Sequence, residues 1–170
     1  MSKWLIGFSV VIALLVVTGL LVKKSVRAEI VVAAAPGEVW ATITNPSTYG
    51  EWNPIFVAYE GTFAEGNSLR LQMKLGHGSP VSVNVKVKDF MTEEWLHQSG
   101  GYPTLLTYDH NWYLEAVPEG TKVLQYEYYT GLYLLFWDPT PAQLAYEQAN
   151  KNLKARLELV SELGKGVILE

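Results

Sequence analysis

The sequence contains no cysteine, which excludes disulfides, thiol nucleophiles and cysteine-ligated zinc and leaves the redox compartment unmarked. Histidine is scarce: His77, His97 and His110 fall on separate segments, so no metal site is expected. No glycine cluster is followed by the Lys-Ser or Lys-Thr pair of a phosphate loop, and no serine lies in a nucleophile-elbow pattern. Four of the thirteen Lys and Arg residues precede Glu29, whereas all seventeen Asp and Glu residues lie at or after it, so the chain from Glu29 onward has a formal charge of −8. With no basic patch beyond Lys23, Lys24 and Arg27, nucleic acid is not an expected partner.

Charge is also missing from Trp4 to Val22, an unbroken apolar run closed by Lys23, Lys24 and Arg27. Nineteen helical residues at about 1.5 Å each span roughly the 30 Å hydrocarbon core of a bilayer. A cleaved signal peptide is the competing reading, since Val26-Arg27-Ala28 imitates a cleavage site, but the run is long for a signal and a dibasic step separates it from that site. Residues 1–28 are therefore expected to be a single-pass transmembrane anchor with a short linker. The excess of basic residues after the run favours a cytoplasmic domain, with the opposite side left open.

The rest reads as one domain, residues 29–164, followed by a tail, 165–170. Glu29 to Ala34 is a β-branched strand, and Pro36-Gly37-Glu38-Val39-Trp40 suits the first turn of a short helix that Asn45-Pro46 stops. Turn signals at Glu65-Gly66-Asn67, Gly76-His77-Gly78-Ser79, Ser99-Gly100-Gly101 and Pro118-Glu119-Gly120 cut the segment Ile55–Thr130 into an antiparallel meander. Leu69, Leu71, Met73 and Leu75 alternate with polar residues, as do Val81, Val83, Val85 and Val87, so each strand has one dry face. Leu75 opposite Val81, across Gly76 to Pro80, would put both dry faces on one side. Asp89, Glu93 and Glu94 read as a solvent-facing turn.

Thr140-Pro141-Ala142-Gln143 predicts a capping box opening a final helix, whose apolar stripe is Ala145, Ala149, Leu153, Leu157 and Val160. A curved antiparallel sheet and one amphipathic helix must bury their dry surfaces against each other, giving an α+β roll.

Ile30 to Trp52, with Ala35-Pro36-Gly37-Glu38-Val39-Trp40 and Asn45-Pro46-Ser47-Thr48-Tyr49-Gly50-Glu51-Trp52-Asn53-Pro54, resembles the amino-terminal signature of the START-like, or Bet v 1-like (SRPBCC), superfamily, in particular its polyketide cyclase/dehydrase-like branch. Gly120-Thr121-Lys122-Val123, Gly131 and Asn152-Leu153-Lys154 extend the likeness. The resemblance implies a helix-grip fold, a seven-stranded antiparallel sheet wrapped on a long carboxy-terminal helix, with a cavity for hydrophobic ligands between them. It implies no reaction, since that superfamily mixes enzymes, carriers and receptors.

Across the turn Val117 to Gly120, Ala116 faces Thr121, so Leu114 faces Val123, Trp112 faces Gln125 and His110 faces Glu127. The pattern alone does not say which face is inner, and the resemblance puts the His110 face inward. The expected ligand-binding residues are Trp52, Leu71, Met73, Trp95, His110, Trp112, Leu114, Gln125, Glu127, Tyr129, Phe136 and Leu153. His110 and Glu127 form the one pair suited to acid–base chemistry, although the favoured reading is a structural cross-strand pair that merely fixes the register. The run Gly131 to Trp137 reads as a lid, a lip that dips into a bilayer, or packing.

Three functions remain. The chain is expected to be a membrane-tethered binding module for a hydrophobic small molecule (a lipid, isoprenoid or polyketide-like compound) that needs no cofactor and no catalysis. A cyclase or dehydratase using His110 and Glu127, and a protein-interaction module with a collapsed cavity, are the alternatives. Protein partners are left open.

Overall fold

The uncharged run folds as one helix, α1 (Lys3–Leu21), long and apolar enough to span a membrane and almost wholly exposed. The computed structural model describes residues 3–74 and 79–167, with side chains described as far as residue 160. Leu75, Gly76, His77, Gly78 and residues 168–170 lie outside the described residues.

No linker follows α1. Only Val22 separates it from β1 (Lys23–Val32), so residues 23–28, expected as linker, are strand. Two short helices come next, α2 (Pro36–Ile43) and α3 (Tyr49–Trp52). Pro36 opens α2, and the Glu38 carboxylate accepts the Ala35 N–H at 2.8 Å, so an acid near the positive helix end also satisfies a free donor. Six strands then follow: β2 (Phe56–Glu60), β3 (Ser68–Met73), β4 (Val81–Met91), β5 (Trp95–Tyr102), β6 (Leu106–Val117) and β7 (Gly120–Thr130). A 3-10 helix (Leu132–Leu135) leads to α4 (Thr140–Val167).

The seven strands form one antiparallel sheet in the order β1-β7-β6-β5-β4-β3-β2. Its inner face supplies Leu69, Val85, Val87, Leu96, Trp112 and Val123, which pack with Val39 and Ile43 of α2, Trp52 of α3 and Ala149 and Leu153 of α4. This is the α+β helix-grip arrangement that the resemblance implies.

Four local expectations are corrected. Met73, rather than Leu75, pairs with Val81, which keeps the dry faces together but moves the register by two residues. Ser99-Gly100-Gly101 is strand, paired with Asp109, Tyr108 and Thr107 of β6, and the Tyr108 ring crosses Gly100 to donate to the Asn84 carbonyl at 3.1 Å. A Cβ on Gly100 would lie 2.3 Å from the Tyr108 hydroxyl. Asp89 belongs to β4, not to the Glu93-Glu94 turn. The capping box at Thr140 does not form: Gln143 accepts the Arg27 N–H of β1 at 3.0 Å and donates to the Arg27 carbonyl at 2.7 Å, while Asp138 accepts the Thr140 N–H.

The buried side of α4 is Tyr146, Ala149, Asn150, Leu153 and Leu157, whereas Ala145 is only half-buried and Val160 is exposed. The expected stripe steps by four residues, which drifts about 40° per step around a helix with 3.6 residues per turn. Its first member therefore sits off the face that its middle members bury.

Candidate functional site

Strands β6 and β7 pair in the register that their turn implies, with His110 opposite Glu127, Trp112 opposite Gln125 and Leu114 opposite Val123. All six side chains are buried, so this is the inner face. Period-two alternation thus carries a histidine, a glutamine and a glutamate into a wall otherwise built of Trp112, Leu114 and Val123.

The third partner comes from α4. Tyr146 places its hydroxyl 3.0 Å from His110 Nδ1 and donates to Glu127 Oε2. Tyr129, two residues along β7 from Glu127, donates to the same carboxylate oxygen at 2.5 Å. On the other side of the ring, Gln125 Nε2 lies 3.4 Å from His110 Nε2. With Gln125 Nε2 donating to His110 Nε2, it is Nδ1 that donates to Tyr146, whose own proton goes to Glu127. A proton chain therefore runs from imidazole through phenol to carboxylate. The direct separation of His110 Nδ1 from Glu127 Oε2 is 3.9 Å, so the phenol is the bridge.

Burial is the first cause, and the negative charge of Glu127 the second, that push the Tyr146 and Tyr129 hydroxyls far above the ordinary phenol range. Tyr108, at the same end of the sheet, is pushed up to about 12 by burial and then by Glu127. These phenols are therefore hydrogen-bond donors across the physiological range.

Beside the cluster is a void of about 20 Å³, lined by Tyr49, Phe56, Phe63, Leu71, Val85, Gln98, Tyr108, His110 and Glu127. It has room for roughly one water. Trp52 and Trp112, packed edge to face at 6.2 Å, and Tyr49 against Trp52 at 4.8 Å fill the space where the resemblance implies a cavity. Gln125 Oε1 is buried with no hydrogen-bond partner. A wider hollow of about 430 Å³ at the far end is an open depression along Glu93, Glu94 and Glu115.

Of the expected ligand-binding residues, Leu71, His110 and Glu127 line the void, and Gln125 and Tyr129 hydrogen-bond within the cluster. Trp52, Trp112, Leu114 and Leu153 are core, and Met73 packs against a second apolar cluster around Val26, Ile55 and Tyr146. Two are corrected. Trp95 lies on the outer face, stacked between His97 and Tyr113, because Leu96 takes the inward position. Phe136 is 89% exposed and touches no part of the void.

Sequence reasoning missed Tyr146, Gln98, Tyr108 and the rings of Phe56 and Phe63. Gln98 was legible in principle, since it shares the inward parity of Leu96. On the outer face His97 stands between Asp109, at 3.2 Å, and Asp89, at 3.7 Å. Among the described residues no group of three or more His, Asp or Glu side chains is placed to hold a metal ion.

The family profile described as "Polyketide cyclase / dehydrase and lipid transport" matches residues 23–158. Among solved structures, a protein from Rhodobacter sphaeroides superposes with a TM-score of 0.68 at 18% identity, covering 81% of this chain and 93% of its own. A protein from Chromobacterium violaceum gives 0.65 at 15% identity, covering 79% and 98%. Ara h 8.0201 gives 0.63 at 13% identity, covering 83% and 99%. At these identities the likeness is one of fold. No curated protein matches the sequence.

Proposed function

Since this chain belongs to the polyketide cyclase / dehydrase and lipid transport family, we propose that it is a membrane-tethered module that binds a hydrophobic small molecule with a hydrogen-bonding end group, between the sheet and α4. The observation that carries this reading is the buried cluster of Glu127, His110, Tyr146 and Tyr129, set at one end of an apolar space lined by Tyr49, Phe56, Leu71 and Val85. A core that only had to pack would not need a carboxylate there, because an apolar side chain avoids the desolvation cost. The partnerless Gln125 Oε1 adds an acceptor beside it.

The void is far smaller than such a ligand, so binding requires the side chains to part. Phe56 and Phe63 are the movable wall, since both are only half-buried and Phe63 sits on the connection between β2 and β3. The tether is supported by the place where β1 begins. Cleavage after Ala28 would remove six of the ten residues of β1, including the core residues Val26 and Ala28, and leave the matching length of β7 unpaired.

The test is mass spectrometry of hydrophobic compounds extracted from the full-length, detergent-purified chain, with an unrelated single-span protein as the control. A compound enriched in this chain alone, and reduced in Glu127→Gln, is the expected result. Identical profiles from the two proteins would leave the packed interior as it stands and favour the protein-interaction reading. The proton chain favours the cyclase or dehydratase reading as a second function. His110→Gln separates it from pure binding: a ligand module keeps its affinity within about tenfold, or roughly 1.4 kcal/mol, whereas an enzyme loses turnover.

A further inference from the structure

The end of the sheet from which α1 emerges is built unlike the other end. At the α1 end, the connection Pro103–Leu105 and the 3-10 helix are hydrogen-bonded around the helix terminus. Leu132 N–H donates to the Thr104 carbonyl at 2.9 Å, Tyr133 N–H to the Leu105 carbonyl at 3.0 Å, and Gly131 N–H to the Val22 carbonyl at 3.2 Å. Val22 N–H in turn continues the helix by donating to the Thr18 carbonyl at 3.0 Å, so the one residue between helix and strand is held from both sides. Gly19, the one buried residue among those described in α1, lies so close that a Cβ there would be 2.5 Å from the Thr104 carbonyl and 3.0 Å from Leu132 Cγ.

Around this junction stands a ring of exposed apolar and aromatic side chains: Tyr102 at 76%, Leu105 at 54%, Tyr133 at 49%, Leu135 at 52% and Phe136 at 89% exposed. The run Gly131 to Trp137 is therefore split. Leu134 and Trp137 pack inward, Trp137 against Tyr129 at 4.7 Å, while Tyr133, Leu135 and Phe136 face out beside α1. Lys23 and Lys24 share this end, and Lys24 Nζ donates to the Trp137 carbonyl. The exposed glutamates Glu93, Glu94 and Glu119 occupy the connections at the opposite end, one sheet length away.

We propose that Tyr102, Leu105, Tyr133, Leu135 and Phe136 form a collar seated in the interfacial layer of the bilayer that α1 spans. The occupant is lipid because the patch is continuous with the root of the lipid-facing helix. The rigid junction gives the patch no freedom to turn elsewhere. Aromatic rings and lysines are the side chains that favour the headgroup layer, and an apolar ring of this kind left in water would be a liability. The domain thereby has one orientation, with its acidic end pointing away from the headgroups. The inference rests on α1 crossing a membrane and is independent of what the interior binds.

The absence of cysteine permits a direct measurement. Phe136→Cys and Leu105→Cys, each in the full-length chain, are spin-labelled and reconstituted in phosphatidylcholine vesicles, with Ile12→Cys in mid-helix and Glu119→Cys at the far end as references. Collision with oxygen is compared with collision with a water-soluble nickel chelate, and urea unfolding confirms that each variant is folded. The expected oxygen preference at 105 and 136 lies between that of Ile12 and that of Glu119. Values equal to Glu119 alongside a lipid-exposed Ile12 overturn the collar and leave the anchor standing. An aqueous Ile12 overturns both, and neither result touches the ligand reading.

Discussion

Replacing Tyr146 with phenylalanine removes one oxygen from the interior and leaves the ring that packs beside Val26, Ala28 and Ile55. That oxygen makes two contacts, with His110 Nδ1 at 3.0 Å and with Glu127 Oε2. Without it Glu127 keeps Tyr129, but His110 Nδ1 is left facing Glu127 Oε2 at 3.9 Å, beyond hydrogen-bond distance. A hydrogen bond to a carboxylate is worth roughly 1.5–3 kcal/mol, and stranding a buried imidazole nitrogen costs about 1–3 kcal/mol. Closure of the 3.9 Å gap recovers part of this, so the expected loss is about 2–3 kcal/mol. For a domain of this size that lowers the melting temperature by roughly 10 °C. The assay is urea and thermal unfolding of the full-length chain in detergent, where α1 stays in the micelle and the signal comes from the sheet domain. Tyr102→Phe, an exposed phenol at the sheet end, should leave stability unchanged. In a double-mutant cycle with Glu127→Gln, Tyr146→Phe should show a coupling above about 1 kcal/mol. A loss below about 0.5 kcal/mol for Tyr146→Phe, or additivity in the cycle, would refute the bridge and with it the proton chain.

Leu153→Asp should unfold the domain, since it sets an unpaired charge at a fully buried point of α4 for a cost of several kcal/mol. A variant that melts like the parent would mean that α4 does not bury that face. In alkali, the unfolded chain loses its phenol protons near pH 10, whereas burial keeps those of Tyr49, Tyr59, Tyr129 and Tyr146 on the folded chain well beyond that. The folded state then binds more protons than the unfolded one, so stability falls as pH rises above about 10. Phenolate absorbance should show part of the ten tyrosines resisting titration until unfolding, and one simple transition for all ten would contradict this. Full-length protein should remain with membranes after carbonate washing and keep its amino terminus, and a mature chain beginning at Glu29 would remove the anchor.

The sequence showed most where one face is dry and a turn fixes the register. The length of the turn Val117 to Gly120 was enough to set His110 opposite Glu127, while the inward direction of that face came from the resemblance, because the two faces of these strands are similarly polar. It showed least where a residue answers to something distant in the chain. Gly100 looks like a turn residue, but it is glycine because Tyr108 lies over it. Trp95 looks like core, but its neighbour Leu96 holds the inward position, and a register shift between Val87 and Asp89 hides the phase of β5. Tyr146 escaped notice because a fixed four-residue step back from Ala149 started the α4 stripe on Ala145. The size of the interior space was not legible at all, since alternation says which side chains point inward and not how completely they fill the room.

If α1 anchors the chain as proposed, the two hydrogen bonds between Gln143 and Arg27 bear on how neighbouring molecules meet in the membrane plane. β1 is an outer strand of the sheet, and Arg27 is the middle of it. Its amide and carbonyl are occupied by a side-chain amide that copies the shape of a neighbouring backbone. A second molecule that approaches this border finds the Arg27 amide and carbonyl already taken, and the border at β2 is only five residues long. Chains confined to two dimensions meet one another often and side by side, the geometry in which strands join into ribbons. One glutamine at the start of α4 obstructs that route at the middle of β1, so Gln143→Ala should favour lateral clustering in vesicles before it affects folding.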